Sequence, residues 1–320
     1  MIASNPWELY YSFFSSSKAQ SYLYRCYERA GIEQAESKSY QNCYPFIYFI
    51  EHGKKYYDLA SISPAEIQPV LLFYGMIQLI KACVLTTDPD YPENSSVLAH
   101  GLTTRKRKKK CYEFLHDEVK VQRNGLFNHF SYQLFHVKHT EGEKFKMLSL
   151  LQYIPELQNR LQEIQQKQQL LQVIQDQHDW HIPSCILTTL HMNTERFLTY
   201  INQGSSSSFQ LKNETKSHIV LSTSSILTPF SSQPFIWSSD NTYYISRSRP
   251  EESFYGALNE PMIHYSILYN LSMLCRYETE WWSDIFHSYT TNDLPFILSF
   301  LQTTQRKIPE WFGRYLLSLT

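Results

Sequence analysis

Residues 70–85 read VLLFYGMIQLIKACVL, and only Gln78 and Lys81 in that run are clearly polar. Apolar groups therefore fall on every side of the helix these residues would form, the pattern of a helix surrounded by protein rather than one lying on a surface. A membrane span is the competing reading, but the run falls short of the roughly 18 to 20 apolar residues a bilayer requires and carries an internal lysine. It is read as a central core helix. Upstream, Ser63, Pro64 and Glu66 have the spacing of a capping box with proline in the first turn, which places the helix start at Ser63. Downstream, Pro89 and Pro92 within Asp88-Pro89-Asp90-Tyr91-Pro92 end it, because neither proline can continue a helix.

Beyond that turn comes Ala99-His100-Gly101-Leu102-Thr103-Thr104 and then six consecutive cations, Arg105, Lys106, Arg107, Lys108, Lys109 and Lys110. On a chain of formal net charge −1 this run concentrates positive potential in one place and attracts phosphates or an acidic protein surface. Its bland counterpart is a solvated basic loop. Gly101, Thr103 and Thr104, with His100, add potential donors to an anion, yet no Gly-rich phosphate-loop pattern is present.

Composition narrows the class. A 320-residue chain that is 42% hydrophobic and 15% aromatic has ample core for one large domain or two. With only nine glycines, chemistry would have to come from side chains rather than from glycine-built nucleotide loops. The six cysteines (Cys26, Cys43, Cys83, Cys111, Cys185 and Cys275) form no CxxC pair and read as reduced thiols. The N-terminal segment lacks a basic region followed by an export-length apolar run, so the expected location is the cytoplasm.

Working outward, Ser15–Gly31 reads as an amphipathic helix with Tyr22, Leu23, Cys26 and Tyr27 on one side. Residues 44–59 leave helix and hairpin open. Residues 118–135, with Asn124-Gly125 between apolar runs, predict a small hairpin. From 143 to 177 the pattern is helical: Leu157, Leu161, Ile164, Gln168 and Leu171 make a coiled-coil-like seam. Nine glutamines between Gln158 and Gln177 give that helix a polar exterior, which favours a solvent-facing strut over a dimerisation coil. Residues 178–250 shift to Ser, Thr and β-branched residues and read as short strands. Helix returns at Glu260-Pro261, and two further helices are expected from Leu294 to Lys307 and from Pro309 to Leu319.

The fold expected is thus α+β and predominantly helical. A bundle formed by the N- and C-terminal parts (residues 1–177 and 251–320) is interrupted by a β-containing middle segment (178–250).

Several stretches together resemble the YaaC-like family of bacterial proteins: NPWELYYSFFSS, FYGMIQLIKA, HGLTTRKRKK, VQRNGLF and LSMLCRYETEWW. The resemblance spans nearly the whole chain. It carries no catalytic residues to map. Some family genes lie beside the gene for IMP dehydrogenase, which implies a role near purine nucleotide metabolism and makes that enzyme a candidate partner.

A second pattern, Arg123-Asn124-Gly125-Leu126-Phe127-Asn128-His129, is similar to the arginine and histidine signature of HEPN-type ribonucleases. There the arginine stabilises phosphate charge and the histidine does acid/base work without a metal. On a regular helix a six-residue separation turns Arg123 and His129 to different faces, and on a strand it sets them roughly 20 Å apart. The pairs His136/His139 and His178/His181 have spacings usable by a metal but lack the Glu of HExxH and a cysteine partner. No metal or cofactor is expected. Arg276 and Glu280 read as an i,i+4 ion pair on a helix.

The leading expectation is a non-enzymatic cytosolic protein. It would bind a nucleotide, an RNA or an acidic protein surface through Arg105–Lys110, assisted by His100, Thr103 and Thr104. A metal-independent ribonuclease using Arg123 and His129 is the alternative.

Overall fold

A computed structural model of the chain describes residues 5–104, 112–165, 169–204, 207–224, 234–248, 258–289 and 291–319. In chain order it contains α1 (Ser16–Arg29), α2 (Ala35–Ile62), α3 (Gln68–Leu85), β1 (Leu102–Thr103), β2 (Glu118–Val121), α4 (Leu126–Phe135), β3 (Lys144–Lys146) and α5 (Met147–Leu151). Then follow α6 (Gln158–Gln165), β4 (Leu170–Asp176), β5 (Asp179–Pro183), α7 (Cys185–Leu190), α8 (Thr194–Gly204), β6 (Gln210–Glu214), β7 (His218–Ser222), β8 (Phe235–Trp237) and β9 (Tyr243–Ser246). The chain ends with α9 (Glu260–Tyr277), α10 (Thr279–His287) and α11 (Asp293–Ser318). The architecture is α+β and mainly helical. The chain divides into two compact units, Ala3–Leu148 with Pro261–Thr320, and a central unit spanning Ser149–Glu260.

In the helical unit α3 is the core element. Leu72, Phe73, Met76, Ile80, Ala82, Cys83 and Val84 are fully buried, as the absence of a polar face requires. Among the described residues α3 is the one helix long and apolar enough to cross a membrane, and 67% of that window is buried inside the protein. It packs against α2 on one side and α11 on another. Its start differs from the expectation. Ser63 caps the end of α2 instead, its hydroxyl donating back to the Leu59 carbonyl at 2.7 Å, and α3 begins at Gln68 with Pro69 in its first turn. The helix-or-hairpin choice at 44–59 resolves to helix: α2 runs straight through Pro45.

The two expected C-terminal helices are one. α11 continues across Pro309, and Tyr10 of the N-terminal 3-10 segment (Pro6–Phe13) meets it there. The fully buried Tyr10 hydroxyl donates to the Pro309 carbonyl at 2.6 Å. Tyr22 in α1 likewise donates to the Leu316 carbonyl at 2.8 Å. Two tertiary hydrogen bonds thus tie the N-terminal segment and α1 to α11 at and beyond its internal proline.

The expected hairpin at 118–135 is half strand and half helix. β2 pairs antiparallel with β1 (Thr103 opposite Lys120) and with β3 (Lys120 opposite Lys144), while residues 126–135 form α4. Val119, Val121, Leu102 and Phe145 face inward and are buried, the period-two alternation of a half-covered sheet.

The central unit is a six-stranded antiparallel sheet of order β6-β7-β5-β4-β9-β8 with helices α6, α7 and α8. Trp180, fully buried, packs its ring 4.8 Å from those of Phe235 and Tyr243. The long glutamine-rich helix does not form. α6 ends at Gln165, and Leu171 lies in β4 opposite Ile245 of β9. Leu170, Leu171 and Val173, which pair with β9, are buried, as a solvent-facing strut would not be.

Candidate functional site

The site is built around residues 99–101, which close over the start of α4. The amides of Leu126 and Phe127, two of the N–H groups a helix start leaves without partners, donate to the carbonyls of Ala99 (2.7 Å) and His100 (3.2 Å). Gln122 donates to the Gly101 carbonyl at 2.9 Å, and the Tyr265 hydroxyl of α9 donates to the His100 carbonyl at 2.8 Å. Both the Gly101 and Gly125 backbones adopt positive φ (81° and 135°). The Asn124-Gly125 pair therefore serves a strand-to-helix turn whose glycine touches a second glycine.

This frame fixes the His100 ring among aromatic rings: Phe73 at 5.1 Å, Tyr269 at 5.8 Å and Tyr74 at 6.2 Å between centroids. Burial is the largest influence holding its imidazole below the usual value, and the charges of Arg276 and Lys81 push the same way. Lys81, seven residues after Tyr74 on α3, is half-buried over the Phe49 ring at 5.6 Å, and burial lowers its ammonium as well. Arg276 does not pair with Glu280. α9 ends at Tyr277 and Glu278 leaves helical geometry (φ −122°, ψ 48°), so the two residues do not lie one turn apart on a single helix. Arg276 instead donates to the Ser272 carbonyl (3.1 Å) and the Tyr74 hydroxyl (3.3 Å), and its guanidinium lies 5.1 Å from the Tyr277 ring. Tyr74 touches both the His100 ring and Arg276, while Lys81 lies seven residues further along α3, and among the described residues none of the three has a carboxylate partner.

Thr103 and Thr104 follow directly. Thr103 in β1 faces Lys120 across the strand pair, and its hydroxyl donates to the Thr104 carbonyl at 3.4 Å. The outward side of this sheet also carries Lys144, paired with Glu118 at 2.7 Å. Arg105, Lys106, Arg107, Lys108, Lys109 and Lys110 lie outside the described residues.

Arg123 is exposed in the turn before α4, and His129 sits within α4. Neither regular-helix nor regular-strand geometry therefore relates them. His129 Nε2 lies 2.9 Å from Asp88 Oδ2, with both side chains less than one-fifth exposed, and the Tyr91 ring stands 5.3 Å away. Asn128 Nδ2 donates to the carbonyls of Gln122 and Arg123 (2.7 and 3.1 Å), which ties the turn to the helix.

The histidine pairs considered for metal binding take different local positions. His136 caps α4 in the left-handed conformation while His139 pairs with Glu143 at 3.1 Å, and His178 precedes β5 while His181 lies within it. Among the described residues no group of three or more His, Cys, Asp or Glu is placed to hold a metal ion. An open cleft of about 540 Å³ lined by Tyr112, Glu113, Trp281, Asp284 and Thr291, among others, also lies in the helical unit. Its two carboxylates make it unsuited to an anion.

Of these features the sequence singled out His100, Thr103, Thr104, Arg123 and His129. It missed Lys81, visible only as a polar break in the apolar run, Arg276, absorbed into an assumed ion pair, and Asp88, read as part of a helix stop.

The family model of YaaC-like proteins matches residues 11–316. Among curated proteins and among solved structures nothing matches the chain. A family match running through the core helix, the small sheet, the central unit and α11 is a match to the whole fold, and the chain belongs to the YaaC-like protein family.

Proposed function

We propose that this protein is a cytosolic binding protein that recognises an anionic partner, a nucleotide, an RNA or an acidic face of a metabolic enzyme, through Arg105–Lys110 with His100, Thr103 and Thr104. The observation that carries the reading is β1. The strand that leads into the six cations sets Thr103 beside Lys120, so the positive charge written in the sequence continues onto a strand neighbour. Attraction of this kind is long-ranged and salt-dependent. The test is binding of a fluorescent single-stranded RNA and of acidic proteins recovered with the native chain, measured against salt, for the wild type and a variant with all six cations changed to glutamine. For RNA with ~6 phosphates engaged, log affinity falls against log salt with a slope of roughly −4 to −5. A protein or nucleotide partner gives a shallower slope. Partner recovery unchanged by the six substitutions removes the proposal.

One observation favours a second reading, a metal-independent ribonuclease. Asp88 fixes the orientation of the His129 ring, as a carboxylate does for a histidine acting as general acid/base. Arg123 on the adjoining turn would stabilise phosphate charge. Cleavage of single-stranded RNA in EDTA by the wild type, lost in His129→Ala, is the expected outcome on this reading; no cleavage across a panel of RNAs removes it.

A further inference from the structure

The cleft of about 540 Å³ in the helical unit has two walls. One is a face of α10: Asp284 and Ile285 follow Trp281 at three and four residues, and Ser288 comes a turn later, just past the helix end. The other is Tyr112-Glu113, and Thr291 completes the lining. Both walls are anchored from behind. Trp282, next to Trp281 on α10, is buried, and its indole N–H donates to the Glu66 carbonyl at 2.8 Å. The amides of Phe114 and Leu115, directly after Glu113, donate to the buried Asp293 carboxylate at 2.8 and 3.1 Å. A cleft held on both sides is formed before any ligand arrives, and its volume falls in the range of small-molecule sites, roughly 300–1,000 Å³.

The hydroxyls that line the cleft already donate to the protein: Tyr112 to Asp117 at 2.8 Å, Ser288 to the Asp284 carbonyl at 2.6 Å and Thr291 to Asp293 at 3.1 Å. What remains for a ligand is mainly acceptor chemistry. Asp284 has no cationic partner among the described residues, and Glu113 meets the exposed His116, Nδ1 to Oε2 at 2.8 Å, through one of its two oxygens. The rings of Tyr112 and Trp281 stand 6.2 Å apart between centroids at an angle of 56°. One cation can therefore lie within ~6 Å of both centroids, the range over which an aromatic ring attracts it. Ile285 adds a buried apolar side chain. An ammonium group suits this lining, because its N–H groups donate to carboxylates and its methyl or methylene groups pack on the rings. An exposed ion pair alone binds weakly, so the contact of an apolar body with Trp281 and Ile285 supplies what the charges do not.

We propose that this cleft binds a small organic ammonium compound. The carboxylates of Glu113 and Asp284 and the rings of Tyr112 and Trp281 take its charged nitrogen, and its apolar body rests on Ile285. The cleft selects the opposite charge from the run Arg105–Lys110, so it stands or falls independently of the anionic partner.

The experiment is isothermal titration of the full chain with phenethylammonium and with its trimethylated analogue, and, as controls of similar size, with neutral phenethyl alcohol and anionic phenylacetate, all at constant ionic strength. The Trp281 indole resonance is followed by NMR in the same titrations. Variants are Asp284→Asn, Glu113→Gln, the two combined, and Trp281→Leu, each checked by its melting temperature. Both carboxylates are exposed, and the amides keep their shape, so these variants retain the fold and read the charge itself. Saturable binding of the ammonium compounds with a shift of the Trp281 resonance is expected, weakened roughly fivefold by either amide substitution and further by both together. The alcohol and the carboxylate should not saturate. Tighter binding of the trimethylated compound assigns the larger share to the rings, and tighter binding of the primary ammonium assigns it to the carboxylates; either result supports the site. Failure of the wild type to saturate with either ammonium compound, an alcohol that binds equally well, or affinity unchanged in both amide variants overturns the inference. Affinity unchanged in Trp281→Leu places the ligand elsewhere and overturns it too.

Discussion

A Cβ on Gly125 would stand 2.3 Å from the Gly101 amide nitrogen and 2.4 Å from the Gly101 Cα. Backbone meets backbone at this point, and the contact seats the carbonyls of Ala99 and His100 on the first amides of α4. Gly125 also adopts φ 135°, a conformation that side chains disfavour. Gly125→Ala is expected to destabilise the helical unit by about 3 kcal/mol. Chemical denaturation reads this as a lowered midpoint, and the His100 resonances should move even where the variant remains folded. A midpoint equal to wild type would show that the contact relaxes freely.

The Tyr10 hydroxyl, seated on the Pro309 carbonyl with its ring beside Gly313, predicts a second outcome. Tyr10→Phe leaves the Pro309 carbonyl buried without that donor and should cost about 1–3 kcal/mol. At Gly313 an added Cβ would come within 2.9 Å of the Leu9 side chain, so Gly313→Ala should destabilise through the same junction. Because the two residues touch, the double substitution should cost less than the sum of the single ones, as thermal or denaturant unfolding would report.

His100 predicts a pH dependence. Its value in the folded chain lies below the ordinary 6.5, so between the two values the unfolded chain holds more protons than the folded one. Stability therefore rises with pH through that window and is lost as pH falls through it. Unfolding of wild type and His100→Gln compared at about pH 7.5 and about pH 5 should show the larger loss for wild type. An equal loss would mean that His100 titrates alike in both states.

Asp88 and His129 predict a fourth. The 2.9 Å contact joins the turn after α3 to α4, so Asp88→Asn and His129→Ala should each lower stability by about 1 kcal/mol. Any RNA cleavage in EDTA should fall with both substitutions. Cleavage that survives Asp88→Asn at the wild-type rate would show that Asp88 does not orient a reacting histidine.

The buried helix was legible because its evidence is local: sixteen residues with two polar interruptions admit few environments. Its start was not. Ser63, Pro64 and Glu66 satisfy a capping pattern, yet the preceding helix runs on to Ile62 and takes Ser63 for its own end. Leu171 fitted a helical seam at spacings of three and four, but its partner Ile245 is far along the chain, and strand pairing across such a distance leaves no mark in a short window. The candidate site shows the same limit. His100 stood out beside the cation run, whereas Arg276 nears it only through Tyr74 of α3, and Lys81 was visible only as a polar break in the core helix. Local rules had already assigned each of them elsewhere.

The bond from Tyr10 to Pro309 also dictates an order of events during synthesis. The helical unit is interrupted in sequence by the central unit, so α3 leaves the ribosome long before α11, its later cover. At a translation rate of ~5–20 residues per second, the interval is roughly 10–40 s. During it the most apolar helix of the chain lacks one of its walls, and before it ends the central unit, continuous from Ser149 to Glu260, has emerged with the strands of its sheet. The nascent chain thus completes its middle first and must shield α3 until the final helix arrives.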